Sequence, residues 1–167
     1  MRTHRAGRLL KDKVRGLGSL RRAVTALKRS GKKIVFTNGC FDILHFGHAK
    51  YLEEAGKKGD ILVVAVNSDS SIRKIKGKNR PIINENQRLK LVAALESVDF
   101  VTKFNDTTPL KVIMALKPDI LVKGADWSKG NIVGGDFVKS CGGKVSTVKL
   151  VKGLSSTNLI QKIARIF

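Results

Sequence analysis

Apolar residues in this chain fall into short runs of two kinds, and the alternation of the two predicts the architecture. Ile61 to Val66 is a continuous apolar run of strand length, Lys33 to Thr37 reads as a buried strand around Ile34, Val35 and Phe36, and Phe100 to Thr102, Ile120 to Val122 and Val145 to Val148 read as shorter strands. Between them lie segments with helical spacing. Leu20, Val24, Ala26 and Leu27 form a stripe after a Ser19 cap and before Gly31; further helices are expected from Gly47 to about Ala55, Ser70 to Ile75, Gln87 to Leu95, Pro109 to Ala115 and Gly135 to Ser140. A last helix should run from Thr157 to Phe167, started by the hydroxyls of Ser155, Ser156 and Thr157, and Asn38-Gly39 should break the first strand. Short apolar strands alternating with helices imply an α/β fold: one parallel sheet covered by helices on both faces. Ligands of such sheets bind beyond the carboxyl ends of the strands, near the point where the strand order reverses.

With 167 residues the chain has room for one domain and one active site. Residues 1–18 read as a basic, mobile leader and residues 19–167 as the domain. The net charge of +20 first suggests a nucleic-acid partner, but residues 1 to 33 hold twelve Lys/Arg against one acid, Asp12, so more than half of the excess reads as a tail property. No helix-turn-helix, zinc ligand set or aromatic stacking motif is present, so no dedicated nucleic-acid partner is expected. A solvated tail is the expected state of the leader, with membrane-surface or RNA tethering as alternatives. Cys40 and Cys141 are too few for a disulfide framework, and no apolar stretch has the length of a membrane span or of a signal-peptide core. A cytoplasmic location, with no membrane attachment, is the expectation.

The segment richest in chemistry is Thr37-Asn-Gly-Cys-Phe-Asp-Ile-Leu-His45-Phe-Gly-His48, between the first strand and the next helix. Gly39 lets backbone approach a phosphate, Gly47 relieves crowding at the helix start, and the free N–H groups of that helix attract anions. Two imidazoles three residues apart can donate to one phosphate group. The same pair could belong to a metal site, which would need a third ligand such as Asp42, or could be packing alone. Near the C-terminus, Gly153-Leu154-Ser155-Ser156-Thr157 offers hydroxyls and backbone N–H groups at a helix start, a cradle for anions or a plain helix cap. The loop Lys74 to Pro81, with four cations and turn residues Gly77 and Pro81, suits the rim of such a site.

Gly-Cys-Phe-Asp-Ile-Leu-His-Phe-Gly-His resembles the His-x-Gly-His signature of the nucleotidyltransferase superfamily, whose members share a Rossmann-like sheet. Gly153 to Thr157 is similar to that superfamily's second signature. Within it, Ile75-Lys76-Gly77 to Arg80-Pro81, Ala94 to Asp99 and Lys117 to Trp127 resemble the heptose 1-phosphate adenylyltransferase domain of ADP-heptose synthase, a likeness covering about residues 19 to 165. In the glycerol-phosphate cytidylyltransferase branch an arginine stands three residues before the second-signature glycine; Leu150 is there in this chain, with Lys149 and Lys152 nearby.

The resemblance implies adenylyl transfer from ATP to D-glycero-β-D-manno-heptose 1-phosphate, giving ADP-heptose and pyrophosphate. The alternatives are cytidylyl transfer to glycerol 3-phosphate or another alcohol phosphate, or a non-catalytic nucleic-acid-binding module that keeps the fold. The resemblance implies that His45, His48 and Lys76 act on the phosphates. It puts Cys40, Phe41, Gly47, Lys123, Gly153, Ser155, Ser156 and Thr157 at the nucleotide, and Asp42, Arg88, Asp126 and Trp127 at the acceptor. Arg88 could equally decorate a helix. No protein metal site is implied; Mg2+ should arrive with the triphosphate. Relatives are commonly dimers, so a homodimer is expected by analogy.

Overall fold

The computed structural model describes residues 9–125, 132–151 and 153–166. Five strands, β1 (Ile34–Gly39), β2 (Ile61–Asn67), β3 (Phe100–Phe104), β4 (Ile120–Gly124) and β5 (Lys144–Val148), form one all-parallel sheet in the order β3-β2-β1-β4-β5. The chain therefore builds outward from β1 to β3, returns to β1's other side, and builds outward again. The carboxyl ends of β1 and β4 lie side by side at this reversal, which is where a parallel sheet opens a crevice.

Both faces of the sheet are apolar, and the period-two alternation of strand side chains divides them. Ile34 and Phe36 point into one core with Leu20 and Val24 of α2 (Leu17–Arg29), Ile113 and Leu116 of α6 (Leu110–Leu116), and Val138 of α7 (Gly135–Ser140). Val35, Leu62 and Val64 point the other way, onto Leu52 and Ala55 of α3 (Phe46–Gly56) and Val92 and Ala93 of α5 (Glu85–Ala94). Two carboxylates, Asp99 buried and Asp119 half-buried, close the sheet's amino end by accepting from strand N–H groups: Asp99 from Leu62 at 2.7 Å and Asp119 from Ile34 at 2.8 Å. The remaining helices are α1 (Leu10–Lys13), α4 (Asp69–Lys76) and α8 (Ser156–Ile166).

The α/β fold stands as expected, and three local expectations do not. Asn38 and Gly39 continue β1 rather than breaking it, because β2 extends beside them and pairs Gly39 with Val66. Ser19 is not the cap of α2: Gly16 is, and the Ser19 hydroxyl donates back to the Gly16 carbonyl at 3.0 Å. The leader is folded from Leu10 onward. After α1, Val14 forms a single parallel bridge to Val101 on the sheet's edge, Arg15 N–H donates to the Val101 carbonyl, the Arg15 guanidinium lies 5.0 Å from the Phe100 ring centroid, and Lys13 Nζ donates to the Leu95 carbonyl. Nine of the twelve cations counted in residues 1 to 33 thus sit on described, folded backbone.

Candidate active site

β1 ends in Asn38 and Gly39, and the chain turns through Cys40 and Phe41 toward α3. Phe41 holds a left-handed φ of 48°, a conformation costly for a bulky residue, and its ring is buried. The turn sets that ring edge-on to His48, centroids 5.2 Å apart. His45 is the N-cap residue of α3, and its imidazole stacks on that of His48 with centroids 3.8 Å apart and planes 24° from parallel. Gly47 makes this stack possible. A Cβ there would stand 3.0 Å from the His45 ring and 3.3 Å from Leu154 Cβ.

Burial, the neighbouring His45 and Lys76 push the His48 imidazole down to about 4, against the pull of a hydrogen bond to the Ile43 backbone. Burial also lowers His45. Both rings are therefore neutral near pH 7. Among the described residues neither nitrogen of His45 has a hydrogen-bond partner, nor does Nδ1 of His48, although these atoms are shielded from solvent. Neutral imidazoles with free nitrogens beside a helix start can donate to an incoming anion and take up a proton as its charge accumulates. Burial pushes the Cys40 thiol up, with Lys76 and Arg88 pulling it back, so Cys40 is a poor thiolate source.

A second helix start faces the first. Gly153 takes a left-handed φ of 78°, the chain turns, and Ser155 caps α8 by accepting from Asn158 N–H at 3.0 Å. Ser156 Oγ reaches the Ile43 carbonyl at 3.4 Å, tying this turn to the histidine loop. The N-termini of α3 and α8 thus converge on one cleft of about 610 Å³, lined also by Cys40, Phe41, Lys76 and Lys123. Two helix dipoles with free N–H groups directed at one space favour a polyanion there. Lys123, next to last in β4, donates to Asn38 Oδ1 across the sheet's reversal point. Beneath the cleft, the Tyr51 hydroxyl joins Thr37 Oγ1 at 2.7 Å and the Val122 carbonyl at 3.3 Å, fixing α3 to β1 and β4.

The structure brings His45, Gly47, His48, Cys40, Phe41, Lys76, Lys123, Ser155, Ser156 and Thr157 around the cleft, with Gly153 in the adjoining turn. It gives Asp42 and Arg88 other work than contact with an acceptor. Asp42 is 1% exposed; its Oδ1 accepts from Ile82 and Ile83 N–H, and its Oδ2 lies 2.7 Å from Arg80 Nε in charge contact outside hydrogen-bond geometry. Arg88 is fully buried and donates to the carbonyls of Ile83, Cys40 and Asn67 and to Asp69 Oδ1, at 2.6 to 2.8 Å. Its guanidinium thereby joins the ends of β1 and β2 to α4 and the loop before α5. With Asp42 so occupied, no group of three or more His, Cys, Asp or Glu converges as a metal site among the described residues. Asp126, Trp127 and Lys152 lie outside the described residues.

Residues not foreseen also line the cleft: Asn38 and Asn67 at the ends of adjacent strands, Tyr51, and Thr107 and Thr108 after β3. The asparagines had a readable signal, since each directly follows a buried strand run. A separate open depression of about 550 Å³, bordered by Asp69, Arg73 and Asn84, shares no residue with the cleft. No helix among the described residues is long and apolar enough to cross a membrane.

Comparison with known proteins agrees with this geometry. Residues 36–162 match the family described as Cytidylyltransferase-like. The "Bifunctional protein HldE" of Geobacter metallireducens is 50% identical over 155 residues, covering 93% of this chain and 32% of the relative; that of Syntrophotalea carbinolica is 50% identical over 152 residues, covering 91% and 31%. The chain therefore spans about a third of the length of these curated relatives. A solved structure titled the lipopolysaccharide core biosynthesis protein from Thermoplasma volcanium superposes with a TM-score of 0.61 at 37% identity, covering 73% of this chain and 98% of that one. With the match running from β1 into α8, and so across both segments that bound the cleft, the chain belongs to the cytidylyltransferase-like family.

Proposed function

We propose that the chain is an adenylyltransferase joining ATP and D-glycero-β-D-manno-heptose 1-phosphate to give ADP-heptose and pyrophosphate, a precursor step for lipopolysaccharide core. The observation that carries the reaction type is the stacked, neutral His45–His48 pair at one helix start, facing the Ser155–Thr157 start of a second helix across a single cleft. The choice of heptose phosphate rests on the resemblance of Ile75 to Pro81, Ala94 to Asp99 and Lys117 to Trp127. Relatives named HldE and a lipopolysaccharide core biosynthesis protein support it.

In this reading the phosphate of the sugar attacks the α-phosphorus in line and pyrophosphate leaves. The attacking oxygen is already anionic, so the protein's task is positioning and charge stabilisation rather than proton abstraction. His45 and His48 donate to phosphate oxygens as charge builds in the transition state. The N–H groups and hydroxyls at the start of α8 hold the departing phosphates. Lys76, exposed at the end of α4 and on the cleft's rim, closes over them. Mg2+ would enter as part of the triphosphate substrate and would supply charge neutralisation there. The reaction belongs in the cytoplasm, where ATP is available.

The test is pyrophosphate release by the purified chain with Mg2+ and ATP, CTP or GTP, against the heptose 1-phosphate and glycerol 3-phosphate. Turnover with ATP and the heptose phosphate alone is expected. Turnover with CTP and glycerol phosphate would move the protein to the other branch, and turnover with no pair would remove both substrate assignments.

A further inference from the structure

Nine of the twelve cations in residues 1 to 33 belong to the folded domain, and three of them, Arg21, Arg22 and Arg29, stand on one exposed helix face. Between Asp12 and Asp42 there is no acidic residue, and eight cations occupy this interval. α2 turns Leu20 and Val24 fully into the core, with Leu17, Ala23 and Leu27 packed against it. Its outer face is left with Gly18, Arg21, Arg22, Thr25, Ala26 and Arg29, all exposed. Lys28 is committed to Asp119, at 3.3 Å, and to the Lys117 carbonyl. Arg21, Arg22, Arg29 and Lys117 have no side-chain partner among the described residues. Two depressions of about 460 and 470 Å³ flank the ridge Arg21–Thr25–Arg29, one floored by Gly18 and Ala26, the other by Ala115 and Leu116.

Three features decide which polyanion this surface fits. The face carries no exposed aromatic or large aliphatic side chain, so it lacks the apolar wedge of a membrane-surface helix. It also lacks the stacking platform that single-stranded nucleic acid uses. Its cations are mostly guanidiniums, which pair with phosphate oxygens bidentately, and Arg21 and Arg29 are spaced along the helix by about 12 Å. Depressions on either side of a cationic ridge admit a phosphodiester backbone, whereas a flat bilayer surface would bridge them. We propose that the outer face of α2, with Lys117 from the end of α6, is a docking surface for the phosphate backbone of duplex nucleic acid, read without base specificity. This surface is independent of the catalytic reading, because none of its residues lines the cleft.

Four unpaired cations releasing phosphate counterions contribute a slope of about −3.6 to log K against log salt, or roughly 100-fold between 50 and 200 mM. The test is fluorescence anisotropy of the full chain with a labelled 20-base-pair duplex of arbitrary sequence, across that salt range. Two variants carry the same loss of charge: Arg21→Gln/Arg22→Gln/Arg29→Gln on the proposed face, and Lys90→Gln/Lys144→Gln/Arg165→Gln elsewhere. The first should flatten the slope by about 2.7 and weaken binding at low salt at least ~10-fold, with thermal unfolding unchanged. The second should leave the slope within about one unit of the parent. Equal losses in both variants would assign the binding to diffuse net charge and overturn the proposal. Preferential binding to vesicles of phosphatidylglycerol and phosphatidylcholine, or to single strands of the same sequence, would overturn it equally.

Discussion

Replacing Arg88 by Met separates a buried strut from a substrate ligand. The arginine is fully buried and makes four hydrogen bonds of 2.6 to 2.8 Å, three to carbonyls and one to the Asp69 carboxylate. Methionine fills most of the volume but donates nothing, leaving the Cys40, Asn67 and Ile83 carbonyls and a partly buried carboxylate without this partner. Breaking a buried, hydrogen-bonded ion pair on one side costs about 3–5 kcal/mol. Each charge-assisted bond alone is worth about 1.5–3 kcal/mol and the set is not additive, so about 4 kcal/mol is the expected loss. In urea, with a slope of about 2 kcal/mol per molar, the unfolding midpoint should fall by about 2 M. Arg88→Lys should recover less than half of this, because one ammonium cannot span acceptors on β1, β2, α4 and the loop before α5. Circular dichroism during urea titration measures the midpoint, and pyrophosphate release at saturating ATP measures the acceptor's KM. A variant that unfolds within about 1 kcal/mol of the parent while its acceptor KM rises steeply would refute the reasoning and return Arg88 to the substrate.

Three further outcomes follow from the cleft. His48→Ala should lower kcat by on the order of 10²-fold with the fold intact, and an unchanged kcat would remove His48 from the mechanism. Gly47→Ala should raise or preserve helix stability by up to about 1 kcal/mol while lowering kcat about 10-fold, since its Cβ would press on the His45 ring at 3.0 Å; parallel changes in stability and kcat would argue against a displaced imidazole. The third concerns pH. His48 is held down to about 4 in the folded chain against 6.5 when unfolded, so the unfolded chain takes up the proton first. Its contribution to stability is complete above pH 6.5 and is lost as pH falls from there through about 4. Urea unfolding of the parent and of His48→Gln at pH 7, 5.5 and 4 should show the parent's relative stability shrinking across that window; a constant difference would contradict the burial.

Much of the fold was legible because the central strands β1, β2 and β4 carry apolar runs buried on both faces, and such runs have few other places to go. The histidine loop was legible for a local reason: Gly39, His45, Gly47 and His48 all act within ten residues of one another. What escaped depends on distance along the chain. Arg88 finds Cys40 and Asn67 at separations of 48 and 21 residues, and Asp42 finds Ile82 and Ile83 at 40 and 41. A charged side chain in a helix with neighbouring polar residues looks exposed until those acceptors are placed. α1 has only four residues, too few to show a period, and Val14 joins the sheet through one bridge. The leader's charge misled for the same reason, since composition reports the number of cations and not whether a core helix carries them.

The most direct test of the account is ³¹P nuclear magnetic resonance of a reaction containing the purified chain, ATP, Mg2+ and D-glycero-β-D-manno-heptose 1-phosphate. Attack at the α-phosphorus predicts the loss of ATP and sugar-phosphate signals in equal amounts, with pyrophosphate and one new pair of coupled diphosphate resonances growing in step. Appearance of ADP with inorganic phosphate, or of ADP with a doubly phosphorylated sugar, would mean that the β–γ bond breaks instead and would contradict the central claim.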